Sequence, residues 1–150
     1  MRKSTKPKTP PIWTTYPHAF GTIRGTMELM KEYTMEVEDE EIEDEEDDGE
    51  VEEKLAELDR LISWAHILEI SLAPGNQVQI TIPPEIMKLL EKHIISFFRT
   101  TDDYEQYNDL ALLMRDLIKI SPSLRKQWKN YQEEEREADE AERAFELSLQ

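Results

Sequence analysis

Apolar side chains recur with two different periods along this chain, and the changes of period mark its elements. Leu55, Leu58, Ile62 and Ala65 fall at helical spacing and predict a helix from about residue 51 to 67. Its acidic opening turn suits the positive end of a helix dipole. The period then shortens. Ile70 and Leu72 alternate with Ser71 and Ala73, and Val78, Ile80 and Ile82 alternate with Gln79 and Thr81. Pro74-Gly75-Asn76 lies between the two runs, with proline where a turn needs its fixed φ and glycine where it needs a positive one. Together these runs predict a β-hairpin with one apolar face.

Helical spacing returns after Pro83 and Pro84, which close the second strand and open a helix. Ile86, Leu89, Leu90, His93, Ile94 and Phe97 carry that helix to about residue 98. Thr101, followed by Asp102 and Asp103, is the expected N-cap of a third helix bearing Tyr107, Leu110, Leu113, Met114, Leu117 and Ile118. Ser121-Pro122 opens a fourth, with Leu124, Trp128 and Tyr131 on one stripe. Beyond residue 132 the composition turns to Glu, Ala and Arg. A helix running to the end would have about 28 residues and a length of roughly 42 Å. A small core cannot cover that length, so the distal half projects. The expected fold is therefore α+β and predominantly α: four helices with one β-hairpin, the last helix long and projecting.

Charge divides the chain further. Of the 18 residues from 36 to 53, 14 are Asp or Glu and none is Lys or Arg, which accounts for most of the net charge of −16. Residues 54–132 are neutral, with ten acids and ten bases. The expected organisation is a basic Pro/aromatic arm over 1–26, an acidic low-complexity linker over 27–50, a small helical domain with a hairpin over 51–132, and an acidic helical tail over 133–150. A run of like charge is ordinarily a solvated interaction segment rather than part of a core. In the arm, Trp13, Tyr16 and Phe20 are too apolar to leave in water, so they pack on the body or on a partner.

Candidate chemistry is sparse. The chain has no Cys and three His, which removes thiolate metal sites and cysteine nucleophiles and leaves little to hold a metal or cofactor. Asp44, Glu46, Asp48, Gly49 and Glu50 fall near the spacing of a calcium loop, but Leu55 stands where the closing Glu belongs. Asp59, Ser63 and His66 share a helix face without a glycine elbow or an oxyanion site, so they read as surface residues. His93 sits on an apolar stripe and reads as a histidine at the core edge. Four glycines form no phosphate-cradling loop. Outside the head no basic surface offers direct nucleic-acid contact, and no run is long enough for a membrane span. These features point to a non-enzymatic, intracellular protein, cytoplasmic or nuclear.

The sharpest local pattern is at the C-terminus. In residues 137–149, Asp139 and Glu140 precede Ala144, Phe145 follows it, and Ser148 stands four positions beyond. This segment resembles a ubiquitin-interacting motif. Two departures stand out: Ala141 replaces the usual Leu or Ile, and no closing acid follows before Gln150. The resemblance implies a single helix whose small Ala144 lets it lie close on ubiquitin's apolar patch, with acids facing ubiquitin's basic rim and Ser148 bonding backbone.

The function expected from sequence is protein–protein interaction or assembly, through flexible charged flanks and an exposed long helix. The expected partner-binding residues are Trp13, Tyr16, Phe20, Trp128, Tyr131, Ala144, Phe145, Ser148 and Leu149. Two narrower readings stand beside it: a ubiquitin-binding adaptor acting through the C-terminal helix, and an acidic decoy or chaperone for a nucleic-acid-binding protein. The partner is thus another protein, basic or ubiquitin itself, and a projecting helix also offers a seam for homo-oligomerisation as a coiled coil.

Overall fold

The computed structural model describes residues 11–40, 48–73 and 75–150. The element order is β1 (Ile12–Thr15), α1 (His18–Glu40), α2 (Asp48–Ser71), β2 (Val78–Thr81), α3 (Pro84–Thr100), α4 (Tyr104–Ile120) and α5 (Pro122–Ser148). The α+β, mainly helical class holds, but the described residues form five helices rather than four.

The additional helix, α1, occupies residues expected to form the arm and the linker. Phe20, Ile23, Met27 and Met30 recur at steps of three and four, and all four are buried. Two glycines and three threonines dilute that stripe, and the acids that follow it mask the period. Thr34 completes the face, its hydroxyl donating to the Met30 carbonyl at 2.7 Å. α1 packs antiparallel to α2, as shown by Arg24 bonding Glu69 and Lys31 bonding Asp59 farther along. Gly21 makes room for this. A Cβ there would lie 3.1 Å from Glu69 Oε1, so the glycine allows the carboxylate to reach Arg24. That guanidinium, by hydrogen bonding, holds the Glu69 carboxyl below the usual carboxylate range. From the other side α4 contributes Gln106, whose amide donates to the Thr22 carbonyl and to Thr26 Oγ1 at 3.0 and 2.8 Å.

The expected hairpin is not formed. β2 pairs instead with β1, antiparallel, in the register Ile12 with Thr81 and Thr15 with Val78. The Ile82 amide extends the ladder by donating to the Pro11 carbonyl at 3.0 Å. Residues 70 and 71 belong to α2, because Leu58, Leu61, Ala65, Leu68 and Leu72 keep helical spacing past residue 67 and outweigh a short alternation. Ile70 is accordingly exposed. Gly75 does take the expected positive φ, +89°, but its turn joins a helix to a strand. Pro74 lies outside the described residues.

The remaining helices follow the sequence more closely. α3 begins with Pro84 at its first position. The cap of α4 shifts from Thr101 to Asp103, whose carboxylate accepts from the Gln106 amide at 2.9 Å, while Thr101 Oγ1 receives the Asp103 amide. α5 is capped as expected by Ser121, which accepts from the Leu124 amide at 3.1 Å.

One core unites these elements. Trp13, Phe20, Leu58, Leu61, Ile82, Leu90, Ile94, Phe97, Leu110, Met114 and Leu117 all belong to it. Its lower boundary is therefore near residue 11 rather than 51, which corrects the expected arm and linker; residues 1–10 and 41–47 of those segments lie outside the described residues. His93 is buried, with Nε2 3.4 Å from Glu57 Oε1, and burial lowers its pKa despite that carboxylate. Lys92 bonds the same Glu57 oxygen at 2.7 Å and, with Lys54, adds to the cost of charging the ring.

Two outcomes follow. Phe20→Ala should destabilise the protein by about 3–5 kcal/mol in chemical denaturation, where a trailing arm would give almost none. Because the folded pKa of His93 lies below the unfolded value of about 6.5, the unfolded chain binds more protons in the window just under that pH. Stability should therefore be full above it and fall as the solution is acidified through it. His93→Leu should flatten that slope in urea melts taken at successive pH values.

Candidate interaction surface

α5 joins the body by one aromatic anchor and then leaves it. Leu124 and Tyr131 are buried and Trp128 is half-buried, all on the side facing α3 and α4. Phe98 sits at the centre, its ring 4.6 Å from Trp128, 4.9 Å from Tyr107 and 5.8 Å from Tyr131. Edge-to-face and tilted pairs at these separations add to simple burial. The Tyr131 hydroxyl donates to the Phe98 carbonyl at 3.1 Å and lies 3.2 Å from the Tyr107 hydroxyl. Burial, reinforced by Tyr107, pushes the Tyr131 phenol well above its ordinary range. The last tie is an exposed ion pair, Arg99 to Glu134 at 3.0 Å.

Every residue from 132 to 150 is exposed. The helix nonetheless continues to Ser148, so its free part extends about 25 Å from the anchor. Ala141, Ala144, Phe145 and Ser148 stand at steps of three, one and three and form one continuous face. Phe145 is 64% exposed and Leu149 71%, which is costly unless something covers them. Ser148 Oγ donates to the Phe145 carbonyl at 2.6 Å, satisfying its hydroxyl within the helix.

The expected partner-binding residues thus separate into three groups. Trp13 and Phe20 are in the core, 5.5 Å apart edge-to-face, with Phe20 likewise against Trp64; they hold the protein's own fold and present nothing to a partner. Trp128 and Tyr131 serve as the anchor of α5. Tyr16, stacked on His18 and 46% exposed, and Ala144, Phe145, Ser148 and Leu149 are the members at the surface.

Other clusters do not assemble into chemistry. Asp59 is drawn to Lys31 rather than to His66, so the Asp59, Ser63, His66 set has no oriented base. Among the described residues no three His, Asp or Glu side chains gather as a metal site. No helix among them is long and apolar enough to cross a membrane.

Sequence reasoning missed a groove beside α5, about 520 Å³ in volume, lined by Lys88, Lys92, Ile95, Arg99 and Gln127. The spacing of its cations along α3 could have signalled it. No protein-family model matches this chain, and it has no match among curated proteins or solved structures.

Removing residues 133–150 should leave the thermal midpoint of the body nearly unchanged, since the tie lost among the described residues is an exposed pair worth about 0.2–1 kcal/mol. Tyr131→Phe, by contrast, should cost about 1–2 kcal/mol through the stranded Phe98 carbonyl. Differential scanning calorimetry on both variants checks this division between anchor and tail.

Proposed function

We propose that this chain is a non-enzymatic interaction protein that presents the free half of α5 to another protein, and that ubiquitin is a partner it can take. The observation carrying the reading is the tail itself: a helix held rigidly at its base, bare on all sides, with a small-residue face beside exposed Phe145. A helix that gains nothing from its own body yet exposes large apolar groups is suited to a partner's groove. The face includes Ala144, where a close approach is sterically open, and Ser148 one turn on. The resemblance to a ubiquitin-interacting motif supplies the identity of the partner, and the helical, uncovered state of residues 137–148 supports it.

The affinity expected of one short helix is weak, because the buried area is small. Titrating the full chain into isotope-labelled ubiquitin should shift amide resonances around ubiquitin's apolar patch. Ala144→Arg should remove those shifts while the chain's circular dichroism stays helical. Absence of any shift with the unmodified chain would end the ubiquitin reading and leave the broader one.

A further inference from the structure

The charge order along α5 is the reverse of what a lone helix favours. Residues 122–132 carry Arg125, Lys126 and Lys129 and no acid, whereas residues 133–148 carry eight acids and two bases. Its first turn has no acid and its last turn no base. Cations thus lie at the positive end of the dipole and anions at the negative end, which weakens the helix in isolation. The arrangement is self-complementary if two such helices run antiparallel, since each basic half then faces an acidic half.

The body supplies a matching seat. α5 runs along α3 in the same direction, because Ser121, the cap of α5, bonds Glu91 at the middle of α3, and Glu134, farther along α5, bonds Arg99 near the end of α3. The groove between them has Ile95 as its floor, and Lys88, Lys92 and Arg99 follow one another at steps of four and seven. Glu146, Glu142 and Glu135, read backwards along the tail, have the same two steps. Glu91, the acid in that groove, is engaged by the Ser121 hydroxyl. Lys92 and Arg99 keep donors free beyond their bonds to Glu57 and Glu134, and about half of each side chain is exposed.

We infer that the protein self-associates as a two-fold dimer, with α5 helices antiparallel and the tail of each copy lying in the α3–α5 groove of the other. A two-fold axis beside Glu134 places the second copy's Glu135 by Arg99, its Glu142 by Lys92 and Gln127, and its Glu146 by Lys88. The same axis makes the contact isologous, so both tails are seated at once and the assembly closes. The sides of α5 that then meet carry Gln127, Asn130, Ala138, Ala141 and Phe145, with Glu134 at the axis, where its own Arg99 pairs with it, and the two alanines let the helices approach closely. Each exposed ion pair contributes little. Six of them, with Phe145 covered twice, give a weak, salt-sensitive dimer. The inference rests on the same free helix as the proposed function but not on ubiquitin. The two interactions share Ala141, Phe145 and Ser148, so a seated tail is closed to ubiquitin.

Sedimentation equilibrium of the full chain, without ubiquitin, is the test. At low ionic strength the mass should rise towards twice that of the monomer with concentration, and raised salt should reverse it. Lys88→Glu with Lys92→Glu should weaken association at least about ten-fold. Adding Glu142→Lys and Glu146→Lys to that chain should restore it, which also guards against a folding defect. Because the chain has no other Cys, Glu134→Cys should oxidise to a covalent dimer while Arg143→Cys, on the far side of the helix, should not. A chain that stays monomeric at every concentration, or a dimer indifferent to the lysine reversals, would overturn the proposal.

Discussion

Burial of Trp13 and Phe20 is the constraint on which the rest of this protein depends. The two rings meet edge-to-face, and Phe20 does the same with Trp64 of α2, so one aromatic chain ties the first strand, the first helix and the second helix together. Without it β2 has no partner strand, because β1 is the strand to which it bonds. Without it α1 also loses the contact that sets its packing against α2. The N-terminal segment is therefore not an accessory laid on a finished core; it closes that core.

A second aromatic group, centred on Phe98, sets the direction of α5. Phe98, Tyr107, Trp128 and Tyr131 come from three helices and share two hydroxyl contacts and a backbone carbonyl, which leaves α5 little freedom to swing at its base. This rigidity makes the exposed half useful. A helix free to flop would lose orientational entropy on meeting a partner, whereas one fixed at its base presents Ala144, Phe145 and Ser148 in a constant direction. Under the proposed function the body is a mount, and recognition falls to the part of α5 that the body does not touch.

The acidic run takes on a different meaning in this setting. Its first residues end α1 and its last begin α2. Glu50, Glu52 and Glu53 suit the start of α2, whereas α1 has no base in its last turn to meet its dipole. In α5 the dipole is opposed, basic residues first and acidic ones last. Both helices carry charge that their own structure does not reward, which is consistent with charge arranged for contacts with other molecules.

From sequence alone, the mainly helical class, the proline start of α3, the Ser121 cap, the stripe of Leu124, Trp128 and Tyr131, and the reach of α5 beyond a small core were all readable. Each follows from local chemistry: a period, a cap, or a helix length set against the size of a core. Strand pairing was not readable, because the residues that bond to Val78–Thr81 lie more than sixty positions earlier and their short alternation resembles any exposed segment. α1 was hidden by glycines and threonines whose purpose appears when Glu69 and Gln106 approach them. The groove beside α5 belongs to the same class, since it exists only once two helices distant in sequence lie side by side. The sequence by itself determined α3, α4 and α5, most of α2, and which helix must project. Tertiary structure decided what those segments touch, because contacts between distant residues depend on shape and burial that no local pattern encodes.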